Sequence, residues 1–243
     1  MTIVSIEREG PLALVRYDRR GKANALNMAA IGALTEAADV LAADTAVQVV
    51  VLTGTETHFS AGVDLDDDRL WRGGADQVVR SHAMAAGGRM CERWLRLPQI
   101  TIAAIEGAAI GGGAILALAA DFRIAGEGAY FRFPEVKLGM TLGWGGLPLL
   151  SDLIGASRAK LALFTDQRIE AAQTLSMGLC DELAGKGEAV NAARALAAKI
   201  ALCPPGALRM TKRSIDASLR TSWAAGFEQD QFYLSRTLME QGG

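Results

Sequence analysis

Two glycine-containing loops are the parts of this sequence whose residue types and spacing best suit chemistry. One is Gly107-Ala108-Ala109-Ile110-Gly111-Gly112-Gly113, which follows the apolar run Ile100 to Ile105 and opens an apolar, helix-like stretch. Absent side chains let a ligand approach the backbone, and the free N–H groups at a helix start face it with the positive end of the dipole behind them. Such a place stabilises negative charge. It lacks the Lys and Ser/Thr of a P-loop and the spacing of a dinucleotide fingerprint, and glycines that simply allow close helix packing are the competing reading. The other loop, Phe59-Ser60-Ala61-Gly62-Val63-Asp64-Leu65, follows the apolar run Val47 to Leu52. Two such loops can set two backbone donors around one oxygen, the arrangement that stabilises an enolate as a neighbouring proton leaves.

Other chemistries have little to draw on. His58 and His82 are the only histidines, and Cys91, Cys180 and Cys203 are far apart, which argues against a metal site, a disulfide framework or a Ser-His-Asp triad. His58 lies near Ser60 and Asp64, but that spacing does not supply the geometry a nucleophile needs from its base. The three thiols read as buried and free. The run Asp64, Asp66, Asp67, Asp68 lacks the glycine and final glutamate of a calcium loop and reads as a solvated helix start. Glu135, in Phe133-Pro134-Glu135, is by residue type alone an ordinary solvated carboxylate.

The elements that must position these loops follow from periodicity. Thr2 to Ile6 and Leu12 to Tyr17, broken by Gly10-Pro11, predict an antiparallel hairpin. Asn27 caps a helix with Ile31, Leu34, Ala38 and Leu41 on one face. The runs Val47 to Leu52 and Ile100 to Ile105 predict strands covered on both faces, with a helix from about Gln77 to Leu97 between them, stopped before Pro98. Short strands are expected at Phe122 to Ala125 and Ala129 to Phe133. Helices follow, with breaks at Gly155, Gly178 and Pro204-Pro205. A last amphipathic helix carries Trp223, Phe227, Leu234 and Leu238, whose stripe packs either on its own domain or on a partner surface. The pattern is that of an α/β core with late helices.

Taken together, Asn24-Ala25-Leu26-Asn27, Phe59 through Leu65, Gly107 through Gly113 ending at Asp121, and Phe133-Pro134-Glu135-Val136-Lys137-Leu138-Gly139 resemble the crotonase superfamily, the enoyl-CoA hydratase/isomerase family. The resemblance is ordered and runs from the first hairpin to the terminal helices. It implies a crotonase-like spiral of ββα units over 1–185 and a C-terminal helical trimerisation region over 186–243, in a homotrimer or dimer of trimers. The oxyanion donors it implies are the amides of Val63 and Gly112, with Glu135 as the catalytic acid/base. Lys22, Ala23, Asn24, Ala25, Ala61, Asp64 and Leu65 would border the CoA moiety of an acyl-CoA substrate, and no separate cofactor or metal is expected. Trp144 falls where the family lines the acyl pocket and would limit acyl length, or is core; Thr141, Trp71 and Trp94 carry the same two readings.

The family's hydratases use two glutamates. This chain has Glu135 at one of those positions and Ile115 at the other. Hydration needs one water oriented, deprotonated and made to deliver a proton, whereas one carboxylate suffices to shuttle a proton between two carbons. The expected reaction is therefore Δ3 to Δ2 isomerisation of an enoyl-CoA, with one-glutamate hydration and a catalytically inactive acyl-CoA-binding protein as alternatives. The chain's 243 residues, 50% of them apolar, allow a substantial core. The formal net charge of −2 is spread along the chain, which excludes a nucleic-acid stripe. No apolar run approaches a membrane span and no leader pattern opens the chain, so a cytoplasmic protein without a membrane partner is expected.

Overall fold

The computed structural model describes residues 2–71 and 77–218. Strands β1 (Val4–Glu9) and β2 (Leu12–Tyr17) form the hairpin, with Glu9 paired to Leu12 across Gly10-Pro11. The first strand starts and ends later than the alternation at Thr2 to Ile6 suggests. It is a sheet edge, mostly exposed, where Glu7, Arg8 and Glu9 are tolerated. Helix α1 (Met28–Ala43) starts at Asn27, whose side chain accepts the Ala30 N–H at 2.9 Å, and it buries Ile31, Leu34, Ala38 and Leu41.

From here the chain repeats one pattern: a strand in a large sheet, a short strand in a second sheet, then a helix. The first turn is β3 (Val49–Thr53), β4 (His58–Ser60), α2 (Asp68–Trp71) and α3 (Gln77–Leu95). The second is β5 (Ile100–Ile105), β6 (Ala108–Ile110) and α4 (Gly112–Leu118). The third is β7 (Phe122–Gly126), β8 (Tyr130–Arg132) and α5 (Gly146–Ile154). The tail of the core is α6 (Ala156–Thr165), β9 (Ile169–Glu170), α7 (Ala171–Met177) and β10 (Glu182–Ala184), followed by α8 (Ala189–Ile200) and a helix over 205–218, α9.

One sheet has the order β1-β2-β3-β5-β7-β10 and the other β4-β6-β8-β9. Strands β2, β3, β5, β7 and β10 run parallel, as do β4, β6 and β8. The spiral of ββα turns is the architecture expected, and it brings the β4–α2 and β6–α4 connections to one end of adjacent, parallel strands.

Both faces of the large sheet are covered, which explains its unbroken apolar strands. In β3, Val50 and Leu52 point into the main core, while Val49 and Val51 join Leu14, Ile102, Ala104 and Ile124 in a second one. Helix α8 closes that second face with Ala189, Ala193 and Ala197, three small residues at helical spacing. Helix α9 is tied on by Lys212, whose Nζ donates to Asp121 at 2.6 Å and to the Gln99 carbonyl at 2.8 Å. Trp94 is core, 1% exposed, with its Nε1 donating to the Leu34 carbonyl.

Two sequence expectations need correction. Cys91 and Cys180 are buried, but Cys203 is exposed: it lies in the turn after α8, where Leu202 is also solvated. The aspartate run is not uniformly solvated. Asp64 is buried and paired with Arg19 at 2.6 Å, and Asp67 accepts the Met28 N–H at 2.8 Å, so the run braces the loop after β4 against the 19–28 segment. Asp66 and Asp68 fit the expected exposed helix start. The amphipathic stretch carrying Trp223, Phe227, Leu234 and Leu238 lies outside the described residues, as does the Trp71 side chain. No helix among the described residues is long and apolar enough to cross a membrane.

The alanine face of α8 sits directly on the sheet, so Ala193→Leu should overpack it and cost ~1–3 kcal/mol. Ala198→Leu, on the exposed side of the same helix, should change stability by less than ~0.5 kcal/mol. Urea unfolding midpoints of the two variants check this.

Candidate active site

The two glycine loops meet. Gly62 adopts φ +88°, and a Cβ there would fall 2.7 Å from the Ile110 carbonyl oxygen and 3.6 Å from the Gly112 nitrogen, so the loop after β4 abuts the start of α4 at backbone distance. Leu26 bridges this loop as a parallel strand would: its N–H donates to the Gly62 carbonyl at 2.7 Å and its carbonyl accepts the Asp64 N–H at 2.9 Å. Both bonds flank Val63, whose own N–H must then point away from Leu26. Gly112 is the first residue of α4, where an N–H has no intrahelical partner. Neither amide donates to another backbone group among the described residues.

Both residues line a cavity of about 140 Å³ with Ala61, Leu65, Leu70, Met84, Ile115, Glu135, Met140, Thr141 and Trp144 among its walls. Glu135 is the only ionisable side chain there among the described residues. It comes from the turn after β8, fixed because its carbonyl accepts the N–H groups of both Leu138 and Met140. Its carboxylate reaches the helix start: a Cβ on Gly111 would lie 2.6 Å from Oε1. Oε2 is buried and has no hydrogen-bond partner among the described residues. Burial pushes the Glu135 carboxyl up to about 7, with the negative Asp166 adding to it.

Asp166 was not anticipated from the sequence. It ends α6 in a left-handed conformation, φ 52°, and accepts Arg132 through Nε at 2.8 Å and a second guanidinium nitrogen at 2.6 Å. Lys137 lies 3.5 Å from the same carboxylate. Arg132 and Lys137 flank Glu135 in sequence, so one ion cluster braces both sides of its turn. An aspartate where the chain needs a left-handed residue was the only sequence signal.

Of the residues assigned to the CoA border, Ala61 and Leu65 line the cavity, and Leu65 is 62% exposed at its mouth. Lys22, Ala23, Asn24, Ala25 and Asp64 do not line it. They form the layer behind the loop: the Ala23 carbonyl accepts the Ala61 N–H, and Lys22 pairs with Asp66. This layer is strained, since Arg20, Lys22, Ala23 and Asn24 all have positive φ. Buried side chains hold it. Tyr17 donates to the carbonyls of Asn24 and Ala25 at 2.7 and 2.8 Å, and the Asn24 amide donates to those of Tyr17 and Phe59. Ser60 Oγ also donates to the Asn24 carbonyl, while His58 Nδ1 lies beside Thr57 and Asp64 is held by Arg19, so these three residues form no triad.

A buried carboxylate beside two free amides can take a proton from a carbon whose neighbouring carbonyl oxygen rests on those amides. Comparison with known proteins gives the family. The model of the family described as "Enoyl-CoA hydratase/isomerase" matches residues 7–242. The chain is 33% identical to a short-chain-enoyl-CoA hydratase of Clostridium acetobutylicum over 94% of its own length and 87% of that protein. Among solved structures, an enoyl-CoA hydratase from Bacillus anthracis superposes with TM-score 0.84 at 32% identity, covering 95% of this chain and 89% of that one. A monofunctional enoyl CoA isomerase from M. smegmatis does so with TM-score 0.77 at 30% identity, covering 90% and 95%.

The raised Glu135 carboxyl is a stability statement. Below the ordinary glutamate value of 4.5 both folded and unfolded chains hold the proton. Between 4.5 and about 7 the unfolded chain ionises first, so this residue's contribution to stability is lost as pH rises through that window, by up to ~3 kcal/mol. Glu135→Gln removes that loss. Denaturant unfolding should show the variant more stable than the wild type at about pH 8, and the difference should vanish near about pH 4. A wild type as stable as the variant at the higher pH would contradict a desolvated carboxylate.

Proposed function

The chain belongs to the enoyl-CoA hydratase/isomerase family, and on that premise we propose that it isomerises a short-chain enoyl-CoA from Δ3 to Δ2 using Glu135 alone. The supporting observation is the composition of the cavity wall: one carboxylate, with Ile115 buried at 2% exposure where a second one would stand. An apolar wall at that position disfavours a bound water beside the β-carbon, and a carboxylate in a dry site acts more readily on C–H bonds.

The steps use groups already placed. The thioester oxygen accepts the Val63 and Gly112 N–H groups. Glu135 as carboxylate removes a proton from C2, and the electron pair delocalises over the thioester and the C3–C4 double bond as a dienolate, whose oxygen carries the charge the two amides stabilise. The protonated Glu135 then delivers the same proton to C4, leaving the double bond between C2 and C3. No proton is gained or lost overall. A carboxyl near 7 serves both halves, because neither the base nor its conjugate acid is scarce at neutral pH. Lys22 to Ala25, Ala61, Asp64 and Leu65 would support and border the CoA moiety at the mouth.

Hydration of a 2-enoyl-CoA is the second reading, favoured by the hydratase names of the C. acetobutylicum and B. anthracis proteins. Purified protein given 3-enoyl- and 2-enoyl-CoA of equal length separates the two. Isomerisation should exceed hydration, and rapid hydration of crotonyl-CoA with 3-enoyl-CoA left untouched would overturn the preference. Glu135→Gln should lower turnover by ~10²–10⁴-fold while CoA-ester binding persists. Ile115→Glu should raise hydration relative to isomerisation, since two carboxylates can then hold one water.

A further inference from the structure

We propose that Gly87 of α3 sets the acyl-length limit of this site, by giving the Trp144 indole the space to form a wall of the cavity. The inference rests on the reading of that cavity as an acyl-CoA site and names the substrate class it admits. Three observations carry it.

Trp144 sits at φ +56°. A bulky residue in this region is disfavoured by ~1–3 kcal/mol and persists only where its surroundings fix it. Its surroundings are glycines on other elements. A Cβ on Gly87 would lie 2.0 Å from the indole Cε2 and Cζ2, and one on Gly112 would lie 2.4 Å from Cζ3. At Gly88 an added Cβ would meet Trp144 only at 3.6 Å from its Cα and 3.9 Å from Cδ1, ordinary contact, so the requirement for glycine falls on Gly87. The ring is thus held between α3 and the helix start that carries the Gly112 amide.

Gly87 weakens α3 by about 1 kcal/mol relative to alanine in a helix interior, and the space it leaves is filled by the indole. Met84, in the preceding turn of α3, lines the cavity with the same ring and Ile115. The space of about 140 Å³ is close to the ~150 Å³ cavity that takes one benzene molecule. Such a space suits an acyl chain of few carbons. The indole is the wall that stops a longer one, and Gly87 is a positioning residue that acts through it.

Calorimetric titration with butyryl-, hexanoyl-, octanoyl- and decanoyl-CoA reads the limit without requiring turnover, and enoyl esters of matching length give the split between KM and kcat. The wild type should favour the two shorter esters. Trp144→Ala should raise octanoyl relative to butyryl affinity by ~10-fold or more, with the change carried by KM, and Trp144→Phe should give a smaller shift. Gly87→Ala should displace the ring and weaken butyryl-CoA binding by ~10-fold in the wild type, but add little to Trp144→Ala, because the two residues form one contact. A purely structural glycine would give the same loss in both backgrounds.

An unchanged octanoyl-to-butyryl ratio in the Trp144 variants would overturn the proposal, as would a Gly87→Ala loss that persists without the indole. If Trp144→Ala fails to fold, Trp144→Phe and Gly87→Ala still report the ratio. A wild type that binds butyryl-CoA tightly yet converts no enoyl ester would sink the proposed reaction and leave the length limit standing. One that binds no CoA ester would overturn both.

Discussion

The structure depends on keeping one carboxylate out of water. Glu135 in solvent would be a weak base of ordinary acidity; in an apolar cavity with Oε2 unpartnered it is held near neutrality. That single condition dictates the surroundings. The wall has to be apolar, which Leu70, Met84, Ile115 and Trp144 supply. The backbone carrying the carboxylate has to be rigid, because a mobile turn would let it reach solvent and relax. Both the double acceptance at the Glu135 carbonyl and the Arg132–Asp166–Lys137 cluster oppose that movement. Within the cluster Asp166 adds a smaller upward push to the Glu135 carboxyl, whose main cause is burial.

The ββα spiral meets this condition through its topology. Parallel pairing of β4, β6 and β8 puts the ends of three successive turns side by side, so the Val63 loop, the start of α4 and the Glu135 turn converge although they are distant in sequence. In the proposed mechanism each turn contributes one group, and none acts without its neighbours. The large sheet anchors these turns from behind, covered on one face by the main core and on the other by α8.

How much of this could be read from the sequence follows the same division. The buried strands and the Asn27 cap have local signatures, and they were legible: an unbroken β-branched run states its environment in its own residues, whereas the triple glycine left two readings and Glu135 stood out only through the family resemblance. Groups whose role arises only from tertiary contact were not legible. Nothing in the local sequence of Tyr17 says that its hydroxyl pins a strained loop, and nothing near Asp166 points to Arg132 or to the Glu135 turn. Asp64 misled for this reason, since a run of aspartates looks solvated until Arg19 is brought beside it. Gly87 reads as an ordinary helix residue because the indole that fills its space is donated from another turn of the spiral.

These less legible features share an energetic character. The 20–24 loop has several non-glycine residues at positive φ, Trp144 is another, and Glu135 sits where burial disfavours its charged form. Each lowers stability locally, and each borders the cavity or the layer behind it. None would persist in a loosely packed protein, because a strained residue relaxes unless its neighbours leave it no alternative. The compensation lies in the main core, where Trp94, Phe59, Phe131 and Phe133 are fully buried, and in Tyr17, whose hydroxyl bonds act on the strained loop itself. Stability and function are therefore separated in space: the sheets and α8 supply what the cavity end gives up, and substitutions that relax the cavity should stabilise the chain while removing the conditions its chemistry requires.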